Sequence, residues 1–301
     1  MIEVQKIIYK KFGNCIQITT KTFCVIVTID FGPRIICFKP INGNNLLFED
    51  IHDNFKMNDK KHQKLFGHET WHCYGGHRLW ASPESILTYA PDNQPVSFKQ
   101  IEDEFIFIGH KLPILNLQMT LILKVQNNNL IVKQKILNLG PKIIDAAVWS
   151  LTQFAANGTA IFKFNNHNTG FLPNRKLIIW PYTNLNDPRL FLGDEYASLK
   201  MDPKNNRPLK LGMDSRIGRV SYILKNYQLI INYPNLQNAN YPDFGCNLET
   251  YTNNYFLELE TLSPLCKLLQ GKSMTHNEIW KIKTHTNIQN LRTDDNIKKI
   301  F

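Results

Sequence analysis

The residue spacing that most resembles a reaction centre is His68-Glu69-Thr70-Trp71-His72, which matches the H-E-x-x-H pattern of zinc hydrolases. That chemistry needs a helix. Only there do two imidazoles four residues apart share one face, with the glutamate placed to activate a metal-bound water. Gly67 precedes the motif and Gly75-Gly76 follow it, which leaves room for about two helical turns, and no apolar stripe flanks them. Gly75 falls where the longer metzincin pattern wants a glycine, but the third ligand position falls on Arg78, with His77 one residue short. A zinc-dependent hydrolase using this motif is therefore the least favoured reading, and no metal ligand is assigned.

Three other runs are dense in glycine, aromatic and charged residues. The first is Tyr74-Gly75-Gly76-His77-Arg78-Leu79-Trp80-Ala81-Ser82-Pro83-Glu84. Its glycines permit close backbone approach, and its His, Arg, Trp and Glu offer polar and stacking contacts. Residue by residue, the plain alternative is a tight turn with Trp80 in the core and Arg78 paired to Glu84. The second run spans 241–251 and contains Asp243. The third is Leu257-Glu258-Leu259-Glu260-Thr261-Leu262-Ser263-Pro264, in which strand alternation puts Leu257 and Leu259 on one face and both carboxylates on the other. In a half-buried strand those carboxylates would meet water; the Thr-Leu-Ser-Pro that follows points instead to a strand ending at a pocket rim. Lys210 and Arg189 would add positive charge to such a pocket, and arginine forks match carboxylate or phosphate oxygens.

The elements that must carry these runs are strands, because alternation with period two dominates the chain. Leu117, Met119, Leu121, Leu123 and Val125 alternate with polar residues, Asn127-Asn128-Asn129 follow, and a second alternating run continues from Leu130 to Ile136. The pattern predicts a hairpin with an Asn-rich turn. Shorter strands are expected over Cys15–Thr20, Phe23–Ile29, Arg34–Phe38, Val220–Leu224, Leu229–Tyr233 and Tyr255–Leu259, separated by breakers such as Gly32-Pro33 and Asn42-Gly43. No segment of 10–15 residues between them has helical periodicity, which argues against a βαβ architecture. The polar stretch from about His52 to Lys64 predicts an exposed insertion or a short helix. The expected architecture is all-β, one large antiparallel β-sandwich over 1–301, with a polar C-terminal extension from about residue 284.

Composition agrees with a globular chain. Of 301 residues, 43% are hydrophobic and 20% charged, which suffices for a sizeable core. No apolar run approaches the roughly 20 residues of a membrane span, and the first residues lack the layout of a secretory signal. The six cysteines are scattered with no C-x-x-C pair and read as free thiols of a cytoplasmic protein. The net charge of +10 is spread in ones and twos, without a nucleic-acid-binding motif. Neither nucleic acid nor membrane is expected as a partner; the charge is compatible with an anionic small molecule.

Taken together, the runs resemble the galactose mutarotase-like superfamily, and more closely a bacterial branch carrying Gly-Gly-His-Arg-Leu-Trp and Glu-Thr-Leu-Ser-Pro-Leu. The resemblance includes Phe31-Gly32-Pro33-Arg34-Ile35, Asn45-Leu46-Leu47-Phe48-Glu49, Leu137-Asn138-Leu139-Gly140 and Trp180-Pro181-Tyr182. It implies a large antiparallel β-sandwich with a sugar-binding cleft, no cofactor, and a small-molecule carbohydrate, neutral or anionic, as partner. In aldose 1-epimerases of the superfamily a late-strand glutamate is the general base, and Glu260 looks like its counterpart. A histidine there protonates the ring oxygen, but the comparable stretch here, Ala147–Phe154, contains none; Thr152 or Gln153 stands at that position. His77 and His167 are the candidates for the missing acid, and His77 is the one assigned. A carboxylate among aromatic residues would have its pKa raised toward neutrality, which suits the task. The resemblance also implies that Arg78 matches the superfamily's early arginine. The expected substrate-binding set is Arg78, Trp80, Glu84, Gln153, Trp180, Arg189, Lys210, Asp243 and Glu258, with Glu260 and His77 catalytic. The implied function is an aldose 1-epimerase-like isomerase, with a non-catalytic carbohydrate-binding or sensing domain as the alternative.

Overall fold

Apolar residues that recur at every second position can be buried only by laying one face of a sheet against another, and this chain does so with two large antiparallel sheets. The computed structural model describes residues 2–286, 288 and 290–301. The first sheet has eleven strands. From one edge it runs through Glu3–Ile8, Asn14–Thr19, Phe23–Thr28 and Arg34–Pro40 to His77–Ser82. It continues through Ile144–Phe154, Leu257–Leu262, Leu248–Thr252 and Leu209–Met213 to Leu177–Ile179, and Cys266–Leu268 pairs with the start of the Ile144–Phe154 strand. The second sheet has ten strands, with Ser273–Thr284 and Asn129–Asn138 near its middle. The architecture is thus an all-β antiparallel sandwich.

The hairpin legible in the sequence joins Leu117–Gln126 to Asn129–Asn138, with Leu117 opposite Asn138 and Gln126 opposite Asn129. Its turn is only Asn127-Asn128, at φ 51° and 59°. Two consecutive left-handed residues make the twist-matched hairpin turn that asparagine tolerates. The strand expected at Tyr255–Leu259 instead begins at Leu257 and extends to Leu262, so both Glu258 and Glu260 lie within it.

The polar stretch after residue 52 contains one short helix, Lys60–Phe66, capped by Asp59, whose carboxylate accepts from the backbone N–H groups of Lys61 and His62. It ends at Gly67, before His68. His72 lies in a two-residue strand, and its Nδ1 meets Asp53 Oδ1 at 2.6 Å. The two histidines of the H-E-x-x-H pattern therefore do not share a helix, and the geometry that zinc hydrolysis needs from this spacing is not formed. Among the described residues, no helix is long and apolar enough to cross a membrane.

Between the sheets, the core is apolar except for one polar layer. Thr261 Oγ1 donates to Glu278 Oε1 (2.6 Å) and lies 2.8 Å from His276 Nε2, while Trp280 Nε1 donates to Glu278 Oε2 (2.8 Å). After Thr284 the chain returns to the second sheet, where Leu291, Ile297 and Ile300 are buried against Ile161, Tyr196 and Ile223.

Candidate active site

Cross-strand register assembles the site. In the His77–Ser82 strand, Leu79 and Ala81 join the inter-sheet core, so Arg78 and Trp80 project from the other face of the first sheet. The Ile144–Phe154 strand lies beside it with Leu151 opposite Arg78 and Trp149 opposite Trp80. On its far side Leu151 faces Glu260 and Gln153 faces Glu258. The next strand sets Glu249 against Glu260 and Tyr251 against Glu258, and Lys210 then pairs with Tyr251. Residues far apart in sequence thereby form one continuous outer surface.

Over this surface lies a cavity of about 300 Å³. Its floor includes Arg78, Trp80, Trp149, Gln153, Lys210 and Glu258, and its walls include Phe55, Trp71, Tyr89, Tyr182 and Phe256, with Glu84 at an exposed position. Gly75 and Gly76 lead into it for a packing reason. Both have positive φ, 91° and 74°, and a Cβ on them would stand 2.4 Å from the Phe48 carbonyl oxygen and 2.3 Å from that of Ile35. The close approach that the glycines permit is to the chain's own backbone.

Two carboxyl systems occupy the site. Lys210 Nζ lies 2.9 Å from Glu260 Oε2 and 2.8 Å from Glu249 Oε2, and Trp149 Nε1 donates to Glu260 Oε2 at 2.8 Å. All three charged side chains are 7% exposed or less. The Lys210 ammonium is also 5.0 Å from the Trp149 ring centroid and 4.9 Å from that of Trp180. Burial raises the Glu249 carboxyl above its ordinary pKa and the negative charge of Glu260 adds to this, while the Lys210 ammonium opposes it. The two carboxylates raise the pKa of Lys210 and keep it charged against the cost of burial.

The second system is Glu258, whose Oε1 accepts from Gln153 Nε2 at 2.8 Å, while Gln153 Oε1 accepts from Cys73 Sγ at 3.2 Å. Burial first, and Glu260 second, push its pKa from 4.5 to about 8. Glu258 is thus a cavity-lining carboxyl group poised to gain or lose a proton near neutral pH. Glu260 is fully buried below the cavity lining, among Lys210, Glu249 and Trp149.

His77 departs from expectation. Alternation turns it to the inter-sheet side, where its Nδ1 meets Thr152 Oγ1 at 2.9 Å and its ring packs edge-on against Trp280. Burial and the neighbouring His276 lower its pKa to about 3, so it is a neutral core histidine on the wrong face to protonate a ligand in the cavity. His167 lies in the segment after the Thr159–Lys163 strand and is not part of the lining. Arg189 is also outside it: its Nε and Nη2 bind both oxygens of Asp187 at 3.0 and 2.9 Å. Asp243 sits in a left-handed turn beyond the lining, and Trp180 approaches the site only through Lys210. Glu84 does not pair with Arg78; it accepts the Tyr89 hydroxyl. The sequence reading missed Trp149, Glu249, Tyr251 and Trp71. Trp149 was detectable as the residue two and four positions before Leu151 and Gln153 on the same face.

No protein-family profile and no curated protein sequence matches the chain. Solved structures do match in shape. A galactose mutarotase-like protein from Lactobacillus casei superposes with a TM-score of 0.53 at 9% identity, covering 89% of this chain and 100% of that one. A galactose mutarotase-like protein from Clostridium acetobutylicum gives 0.54 at 12% identity, covering 94% and 99%. A TPR-domain containing protein from Parabacteroides distasonis gives 0.60 at 10% identity, covering 94% of this chain and 50% of that one. With two antiparallel sheets in this order and these likenesses over most of its length, the chain has the galactose mutarotase-like fold.

Proposed function

We propose that this protein binds a carbohydrate in the cavity above Trp80, Trp149 and Lys210 and interconverts its anomers, with Glu258 exchanging the proton. The observation that carries the proposal is Glu258 itself: a carboxyl group on the floor of an aromatic-walled cavity, held by Gln153, with its pKa moved to about 8. A volume of about 300 Å³ is at the small end for ligand pockets and suits one sugar ring. Aromatic walls supply apolar faces for a sugar's C–H groups, and the amide, ammonium and guanidinium groups supply partners for its hydroxyls. Ring opening requires one proton taken from the anomeric hydroxyl and one delivered to the ring oxygen. Glu258 is suited to the first task. Lys210, two strands away on the same cross-strand row, offers the ring oxygen a charged hydrogen bond that steadies its developing negative charge, while a water molecule delivers the proton there. Glu260 acts through Lys210, as a positioning residue.

A second reading, a binding or sensing domain without catalysis, is favoured by one observation: among the described residues, no histidine lines the cavity. Polarimetry on freshly dissolved α-sugars separates the two. The epimerase reading expects equilibration faster than in buffer, abolished in Glu258→Gln. Binding without acceleration leaves the sensing domain, and absence of binding by every sugar tested refutes both.

A further inference from the structure

The described residues include three buried arginines, and they differ in how their charge is met. Arg34 donates from Nη2 to Asp92 at 3.0 Å. Arg189 grips Asp187 with two nitrogens and also donates to the carbonyls of Asn205 and Arg207. Arg78, 4% exposed and on the cavity floor, pairs with no carboxylate and donates no side-chain hydrogen bond; its Nε, like that of Arg34, is buried without an acceptor.

What lies against Arg78 is aromatic. Its guanidinium carbon is 3.8 Å from the Trp80 ring centroid and 5.1 Å from that of Trp71. An indole face attracts a cation but offers no lone pair to the N–H donors at the guanidinium edge. The acidic groups nearby are already engaged: Asp92 by Arg34, Glu84 by the Tyr89 hydroxyl, Glu258 by Gln153. A buried charge with unmet donors is costly, and such sites persist where something outside the chain completes them.

We infer that the ligand of this cavity carries an oxyanion, a carboxylate or a phosphate group, that docks on the Arg78 guanidinium. The inference rests on the carbohydrate reading and narrows it to acidic sugars. Placement supports this. Arg78 and Glu258 stand on strands separated by the Ile144–Phe154 strand, about 10 Å apart across the sheet. Arg78 thus stands on the first and Glu258 on the third of the five strands under the cavity, which keeps the anion apart from the proton-exchanging group, as a C6 carboxylate or phosphate lies apart from the anomeric carbon. A planar fork meets either oxyanion through two parallel hydrogen bonds.

The test is calorimetric titration at constant ionic strength with galactose, glucose, galacturonate, glucuronate, both hexose 6-phosphates, and inorganic phosphate alone. It uses wild type, Arg78→Met and Arg78→Lys, the lysine keeping the charge if the methionine variant folds poorly. We expect at least one acidic sugar to bind tenfold or more tighter than its neutral parent, with that preference erased in Arg78→Met and partly kept in Arg78→Lys. The uronates and the 6-phosphates separate carboxylate from phosphate. Neutral sugars binding as tightly as their acidic partners, or a preference that survives Arg78→Met, overturns the inference and leaves the carbohydrate reading standing. Arg78-dependent binding of inorganic phosphate with no sugar bound upholds the anion site and sinks the carbohydrate reading. No binding in any arm sinks both.

Discussion

Replacing Lys210 by methionine tests the electrostatic logic of the site directly. Lys210 Nζ is the shared partner of Glu260 and Glu249, at 2.9 and 2.8 Å, and both carboxyl groups are 1% exposed or less. Removing one partner of a buried ion pair typically costs about 3–5 kcal/mol, because the remaining charge is stranded. At about 2 °C per kcal/mol for a protein of this size, the melting temperature should fall by roughly 6–10 °C. The sign of the pH dependence follows. Without the ammonium, burial leaves Glu249 titrating above its unfolded value, so the penalty is present above about pH 4.5 and shrinks as pH falls toward it. Urea unfolding followed by tryptophan fluorescence at pH 5 and pH 7 should show a larger deficit at pH 7. The double variant Lys210→Met/Glu249→Gln should recover part of it, since only one carboxylate is then stranded. A deficit below about 1 kcal/mol, or one equal at the two pH values, would refute the view that Lys210 holds these charges in place.

Other consequences are simpler to state. Glu258 binds its proton more tightly in the folded protein than in the unfolded chain, so wild-type stability should decline as pH rises from about 4.5 to about 8. The ceiling on that decline is about 5 kcal/mol, reduced by water in the cavity; Glu258→Gln should flatten this part of the stability–pH curve, as read by urea midpoints. Gly76→Ala would combine positive φ with a Cβ 2.3 Å from the Ile35 carbonyl oxygen, and should destabilise the fold by about 3 kcal/mol in thermal unfolding. Asp187→Asn breaks the buried pair with Arg189, outside the cavity lining. It should cost roughly 3 kcal/mol of stability while leaving sugar affinity unchanged by titration.

The class of fold and the regions that meet at the site could be read from residue patterning alone. Period-two patterning depends only on neighbours along a strand, which is why the Asn127-Asn128 hairpin and most strand positions could be read without any long-range contact. The dense runs around Arg78 and Glu258 were legible for the same reason: residues two apart share a face. Which face of a strand meets solvent, core or cavity was not legible, because it depends on the neighbouring strands. That choice moved His77 into the inter-sheet layer, put Arg78 and Trp80 on the cavity floor, and seated Glu260 beneath Lys210. The division of labour between the two glutamates belongs entirely to the tertiary structure. Two residues apart on one strand, they differ because the cross-strand register gives Glu260 the partners Lys210 and Trp149 and gives Glu258 only Gln153 and the cavity.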